Sequence, residues 1–170
     1  MIMTTEELMS YMDTTVKGPV LEAKLQALEI MIRKHTNNNF QDRRYRSTGN
    51  VSGNVLRCAN SALFRPGDTI MVDEDLVTIT DITGDSMTIS ESLLPEDQCL
   101  VTKVVYPMDV KMGVVNMLKW DLENREKIGV QSETISRHSV TYFDMGADNS
   151  SLGYPKSLTG FMKPYMKARF

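Results

Sequence analysis

The chain has 170 residues, 41% of them hydrophobic and 24% charged, with a net charge of -3. These values describe an ordinary folded chain of one domain or two small ones, and the acidic balance argues against holding nucleic acid by bulk electrostatics. Cys58 and Cys99 are the only cysteines, too few for a disulfide framework, and no run of about eighteen apolar residues offers a membrane span. No basic segment followed by an apolar run opens the chain, so synthesis in a reducing cytosol is expected.

Thr4-x-x-Glu7 has the spacing of a capping box, in which the hydroxyl accepts from an orphan amide and the carboxylate reaches back. It predicts a short amphipathic helix through Leu8, Tyr11 and Met12. Gly18-Pro19 then puts proline in a first helical turn. Leu21, Leu25, Leu28 and Ile32 follow at three- and four-residue steps, with Glu29 and Arg33 spaced to pair at i,i+4. This second helix should stop near the polar run from Thr36 to Asn39.

From about Ser47 to Tyr106 the period changes. Gly49, Gly53, Gly67 and Gly84 punctuate β-rich runs, and strands are expected at Thr69–Val72, Leu76–Ile79, Met87–Ser90 and Leu100–Tyr106. Pro66-Gly67 fits a type II turn, and Asp73-Glu74-Asp75 and Thr83 to Ser86 each link a hairpin. A small antiparallel sheet or barrel follows from this pattern.

Tyr106-Pro107 returns the chain to helix, because the residue before proline prefers an extended backbone while proline suits a first helical turn. Val110, Val114, Met117, Leu118 and Leu122 form the apolar face of a long helix. Asp121 with Arg125 and Glu123 with Lys127 support its wet face up to Gly129. Beyond it, Ser136 to Phe143 reads as extended and Gly146 to Gly153 as a loop.

In the last segment Leu158, Phe161, Met162, Tyr165 and Met166 gather on one face of a basic amphipathic helix, with Lys156, Lys163 and Lys167 largely elsewhere. Pro164 removes the hydrogen bond to the Gly160 carbonyl and should kink or split that helix. Such a stripe serves either the chain's own core or a groove on a partner. Lys156, Lys163, Lys167 and Arg169 are unopposed by any acidic residue after Asp148, which suits an acidic partner surface. On the docking reading the segment is loosely held until bound, and its deletion should cost the monomer little.

Charge is also unevenly spread earlier. Arg33, Lys34, Arg43, Arg44, Arg46, Arg57 and Arg65 face only Asp42 between positions 33 and 65, whereas positions 68 to 97 hold nine acidic residues and no Lys or Arg. Solvated loop surface explains each stretch by itself. Opposite patches on one protomer can also meet head to tail on neighbours, and such a contact closes a ring when the rotation allows.

Catalytic chemistry finds little purchase. His35 and His138 are the only histidines, far apart and outside any metal-ligand spacing, and His35 suits a helix C-terminus. No phosphate-cradling glycine loop, nucleophile elbow or dinucleotide fingerprint occurs. Asp73 and Asp75 lie in an exposed turn, which offers little desolvation to make an acid and base of them. No enzymatic activity, cofactor or metal is expected.

Tyr106-Pro107 through Val140, including Met117-Leu118-Lys119-Trp120-Asp121 and Gly129 to Ser136, together with Gly153-Tyr154-Pro155 and the end from Leu158 to Phe170, resembles the head-tail connector (head completion) proteins of tailed bacteriophages. The resemblance spans the helical parts, roughly two-thirds of the chain, and rests on pattern and order instead of an active-site motif. It implies a structural adaptor of the virion neck, made in the bacterial cytoplasm. It implies a dodecameric ring beneath the portal protein that extends the DNA channel, touches DNA only transiently and without sequence preference, and meets downstream head completion or tail proteins.

The corresponding fold is α+β. A helical core over 1–46 and 106–170 comprises two N-terminal helices, a long central helix and a C-terminal amphipathic helix, with a β-rich insert over 47–105. The docking segment toward the portal would be Leu158, Phe161, Met162, Lys163, Tyr165, Met166, Lys167 and Arg169, and Arg43, Arg44 and Arg46 would serve contacts between subunits or with the channel. The insert departs from the minimal helical members. The rival reading is a small nucleic-acid-binding module that uses Arg43, Arg44, Tyr45 and Arg46, although it has neither a recognition helix nor a stacking platform.

Overall fold

Alternating apolar residues dominate the middle of the chain, and they build one curled antiparallel sheet. The computed structural model describes residues 1–124, 132–135, 138–141 and 149–168. The chain divides into two compact units, one made of Asn38–Tyr106 with Met1, the other of Ile2–Asn37 with Pro107–Phe170.

The first unit holds strands β1 (Gln41–Cys58), β2 (Thr69–Val72), β3 (Asp75–Thr83) and β4 (Ser86–Val104), in the sheet order β1-β4-β2-β3. All pairings are antiparallel. β4 is long enough to serve two neighbours on one edge: its start pairs with the end of β3, and its last residues pair with β2. The sheet therefore curls on itself. β1 pairs with β4 from Gln41 to Arg57, with register shifts between Gln41 and Arg46 and between Gly49 and Val55. The end of β1 turns back toward its own middle, and the Ala59 amide donates to the Thr48 carbonyl at 2.9 Å. Gly49 permits that approach, since a Cβ there would lie 2.6 Å from the Arg57 carbonyl oxygen.

Period-two alternation decides what lies inside. Leu56 and Cys58, Ile70 and Val72, Val77 and Ile79, Met87 and Ile89, and Cys99 and Val101 point into one buried cluster with Val51 and Phe64. The turns follow local chemistry. Gly67 takes φ 87° and the Asp68 amide donates to the Arg65 carbonyl, which makes Arg65 to Asp68 the type II turn expected of Pro66-Gly67. Val72 pairs with Asp75 and Thr83 with Ser86, so each of these hairpins turns on two residues.

Sequence periodicity suggested two short strands at Met87–Ser90 and Leu100–Tyr106, but a single strand, β4, runs from Ser86 to Val104. Glu91 to Asp97, charged and holding Pro95, lies within this strand. The structure accommodates it at the bend, where Gln98 takes φ 61°. β1 was not anticipated as a strand, because Arg, Ser, Asn and Gly are poor strand formers by propensity. The unit also begins at Asn38, not at 47, and Arg43 to Arg46 lie on its first strand.

The second unit carries α1 (Thr5–Met9), α2 (Gly18–Thr36), α3 (Met108–Asn124) and α4 (Lys156–Thr159), with a 3-10 turn over Gly160–Tyr165. It also holds the hairpins β5 (Ser132–Ile135) with β6 (His138–Thr141) and β7 (Ser150–Ser151) with β8 (Tyr154–Pro155). Thr4 caps α1 by accepting from the Glu7 amide at 3.1 Å, but the Glu7 carboxylate takes Lys111 Nζ at 2.7 Å. Asn37 closes α2 in the left-handed conformation, with Arg33, Lys34 and His35 in the last turn. Leu21, Leu25, Leu28 and Ile32 on α2 are buried, as are Val110, Val114, Met117 and Leu118 on α3. Helices and an antiparallel sheet together make the fold α+β.

The C-terminal amphipathic helix, expected to kink or split at Pro164, consists of a four-residue α-helix followed by a tighter 3-10 turn. Pro164 lacks the amide that an α-helix would aim at the Gly160 carbonyl, so the last turn winds with three-residue spacing. Arg125, Lys127 and Gly129, the Ser136 and Phe143 ends of the expected extended segment, Gly146 to Asp148 and Arg169 lie outside the described residues.

Candidate functional site

In the unit Asn38–Tyr106, positive charge gathers where β1 begins and β4 ends. Arg43, Arg44 and Arg46 are exposed on β1, and Lys103 reaches over the Tyr45 ring at 5.4 Å. The arginines are not equivalent. Arg44 makes a two-pronged pair with Asp42, with Nη2 to Oδ2 at 2.8 Å and Nε to Oδ1 at 3.1 Å. That pairing holds the Asp42 carboxyl below its ordinary range, chiefly through the side-chain hydrogen bond. Arg46 has one long contact, Nε to Thr102 Oγ1 at 3.4 Å. Arg43 has no hydrogen-bond or ion-pair partner among the described residues.

Negative charge gathers where β4 bends. The Asp73 amide donates to the Leu100 carbonyl, and Asp73 Oδ1 accepts from the Leu100 amide at 2.8 Å. These bonds fix the exposed Asp73-Glu74-Asp75 turn beside β4, near Glu96 and Asp97. Buried Cys99 reports the same grouping: burial, then the carboxylates of Asp73 and Glu96, push its thiol pKa up. Its Sγ donates to the Gly49 carbonyl at 3.0 Å. A thiol in that state is a poor nucleophile.

Beside this acidic end, β1 and β4 enclose an open groove of about 600 Å³, lined by Asn50, Val51, Ser52, Val55, Arg57, Pro95, Glu96 and Asp97. Leu94 projects next to it with 86% of its surface exposed. Sequence reading found the two charged stretches but not this grouping. The register Val51 with Glu96 and Gly49 with Cys99 creates it, and that register is set by long-range pairing and bulges.

In the other unit the C-terminal segment is held by its own chain. The Phe161 ring lies against Gly113 of α3, and Met162 is 1% exposed. Tyr165 donates its hydroxyl to the Asp109 carboxylate, 2.7 Å from Oδ2, a bond that raises the tyrosine pKa. Further along, the Lys167 amide donates to the Thr36 carbonyl at 2.8 Å, and Asn37 Nδ2 donates to the Ala168 carbonyl. Tyr154, just upstream, is buried with its ring 5.5 Å from that of Trp120 and its hydroxyl 3.4 Å from buried Asp121, which pairs with Lys24. Of the residues assigned to portal docking, Phe161, Met162 and Tyr165 are therefore engaged within the chain. Leu158 is half-buried, and Lys163, Met166 and Lys167 are exposed.

Among the described residues no group of three His, Cys, Asp or Glu side chains is placed to hold a metal ion, and no helix is long and apolar enough to cross a membrane. The chain matches no family model and no curated protein sequence.

Proposed function

We propose that this chain is a structural head-tail connector of a tailed phage or prophage, a ring-forming adaptor under the portal that extends the DNA channel and links head to tail. The observation that carries the reading is the separation of charge within the unit Asn38–Tyr106. Arg43 and Arg46 stand at the Val104 end of β4, where Lys103 is paired with Asp68 at 2.6 Å, and the exposed Glu96 and Asp97 stand at its bend. Asp97 lies five residues from Thr102, which faces Arg46, so the two charged ends are separated by on the order of 16 Å of extended chain, beyond the screening length at physiological salt. Neighbouring copies placed head to tail bring them together, and repetition of such a contact closes a ring.

The sequence resemblance of Tyr106 to Val140, Gly153 to Pro155 and Leu158 to Phe170 to connector proteins supports the same reading. Portal contact then falls to the outward side chains of the last segment, Lys163, Met166 and Lys167, while Met162 and Phe161 seat the segment on its own helices. The nucleic-acid reading is weaker on the geometry, since Asp42 occupies Arg44, and Arg44 and Lys103 both approach the Tyr45 ring instead of leaving it free for a base.

A duplex titration at low and moderate salt separates the two readings. A connector shows weak binding without sequence preference. Tight binding with a steep salt slope, abolished by Arg43→Glu, would establish the nucleic-acid module instead.

A further inference from the structure

We infer that the groove between β1 and β4, rimmed by Glu96 and Asp97, receives the Arg43–Arg46 edge of a second copy of this chain. The inference rests on the connector reading and names the surface through which copies meet.

Three observations carry it. The first is charge complementarity with an unmet demand on both sides. Arg43 has no partner among the described residues and Arg46 only a long contact to a neutral hydroxyl, while Glu96 and Asp97 are exposed and enter no ion pair among the described residues. Arg44 is committed to Asp42, so Arg43 and Arg46 are the donors.

The second is register. Arg46 faces Thr102 and Val51 faces Glu96 on the same pair of strands. Five residues of strand to Asp97 and six to Glu96, at most about 20 Å, separate Arg46 from its own acidic rim. A copy cannot fill its own groove, so the contact lies between two copies.

The third is the apolar surface. Val55 is 39% exposed in the groove wall and Leu94 is 86% exposed beside it. Solvent-exposed leucine next to an open groove gains from cover by a second copy. Arg57 lines the groove as well and repels the incoming arginines, which places them on the Glu96 and Asp97 side. Exposed pairs of this kind are weak and screened by salt. Association therefore depends on protein concentration and falls with ionic strength.

The test is sedimentation of the full chain over a range of concentrations at low salt, using three variants. Arg43→Glu with Arg46→Glu, and separately Glu96→Lys with Asp97→Lys, should each reduce self-association at least tenfold while circular dichroism stays that of the parent. The four-fold exchange combining both pairs should recover it, because the contact is restored with its signs swapped. If the combined variant associates no better than either parent pair, or if either pair alone leaves association unchanged, the inference is overturned. It is also overturned if the parent chain never self-associates. Micrographs of the same samples separate the two claims. Rings that survive both reversals remove this contact and keep the connector reading, whereas a closed dimer whose association follows the charge swap keeps the contact and removes that reading.

Discussion

The ring of Phe161 lies in the space that a side chain on Gly113 would occupy. The C-terminal segment thus reaches α3 at a point where only glycine leaves room. Gly113→Val should force the ring out or shift the helix, and overpacking of this kind costs about 1–3 kcal/mol. A lower melting temperature, read by circular dichroism, is the expected outcome. An unchanged melt would mean that the segment does not rest on α3.

Removal of Tyr154 to Phe170 should be more damaging. Tyr154 and Met162 are almost fully buried, and losing a well-buried large side chain costs about 1.5–3 kcal/mol each. Typical domains hold a margin of about 5–15 kcal/mol, so the truncated chain should melt far below the parent or without a cooperative transition. This reverses the expectation from the docking stripe alone, which allowed the segment to be dispensable. A truncated chain that melts like the parent would return the segment to that role.

Alkaline pH should loosen the same segment. The hydrogen bond to Asp109 raises the Tyr165 pKa above its ordinary 10.0, which means that the fold favours the neutral hydroxyl. The stabilisation is fully present below the unfolded value and is lost as pH rises through the higher folded value. Above about pH 10 the melting temperature should fall more steeply in the parent than in Tyr165→Phe. Identical profiles would remove the bond from the account.

Much of this fold was legible before the structure. Leu21 to Ile32 and Val110 to Leu118 carried helical spacing, and Ile70, Val72, Val77 and Ile79 carried period two; each set is buried as its spacing required. β1 was illegible, because the partners of its exposed Arg, Ser and Asn side chains lie some fifty residues away on β4. The acidic end was invisible for the same reason, as Asp73 meets Leu100 only through sheet pairing. The terminal stripe misled because Leu158, Phe161, Met162, Tyr165 and Met166 share a face only at 3.6 residues per turn, and Pro164 favours a tighter winding.

Within that segment, Lys163 and Lys167 point to solvent. Lys163→Glu with Lys167→Glu should leave the melt within about 0.5 kcal/mol of the parent, as is usual for exposed sites. Portal binding, measured by co-sedimentation, should drop by tenfold or more. Binding that persists would move the portal contact elsewhere on the chain.

Electron microscopy of the protein mixed with purified portal rings tests the connector reading most directly. A single added layer of this chain beneath the portal, with the channel running on through it, is the expected result. Portal rings without added density, at protein concentrations where Lys163 and Lys167 should be engaged, would contradict it.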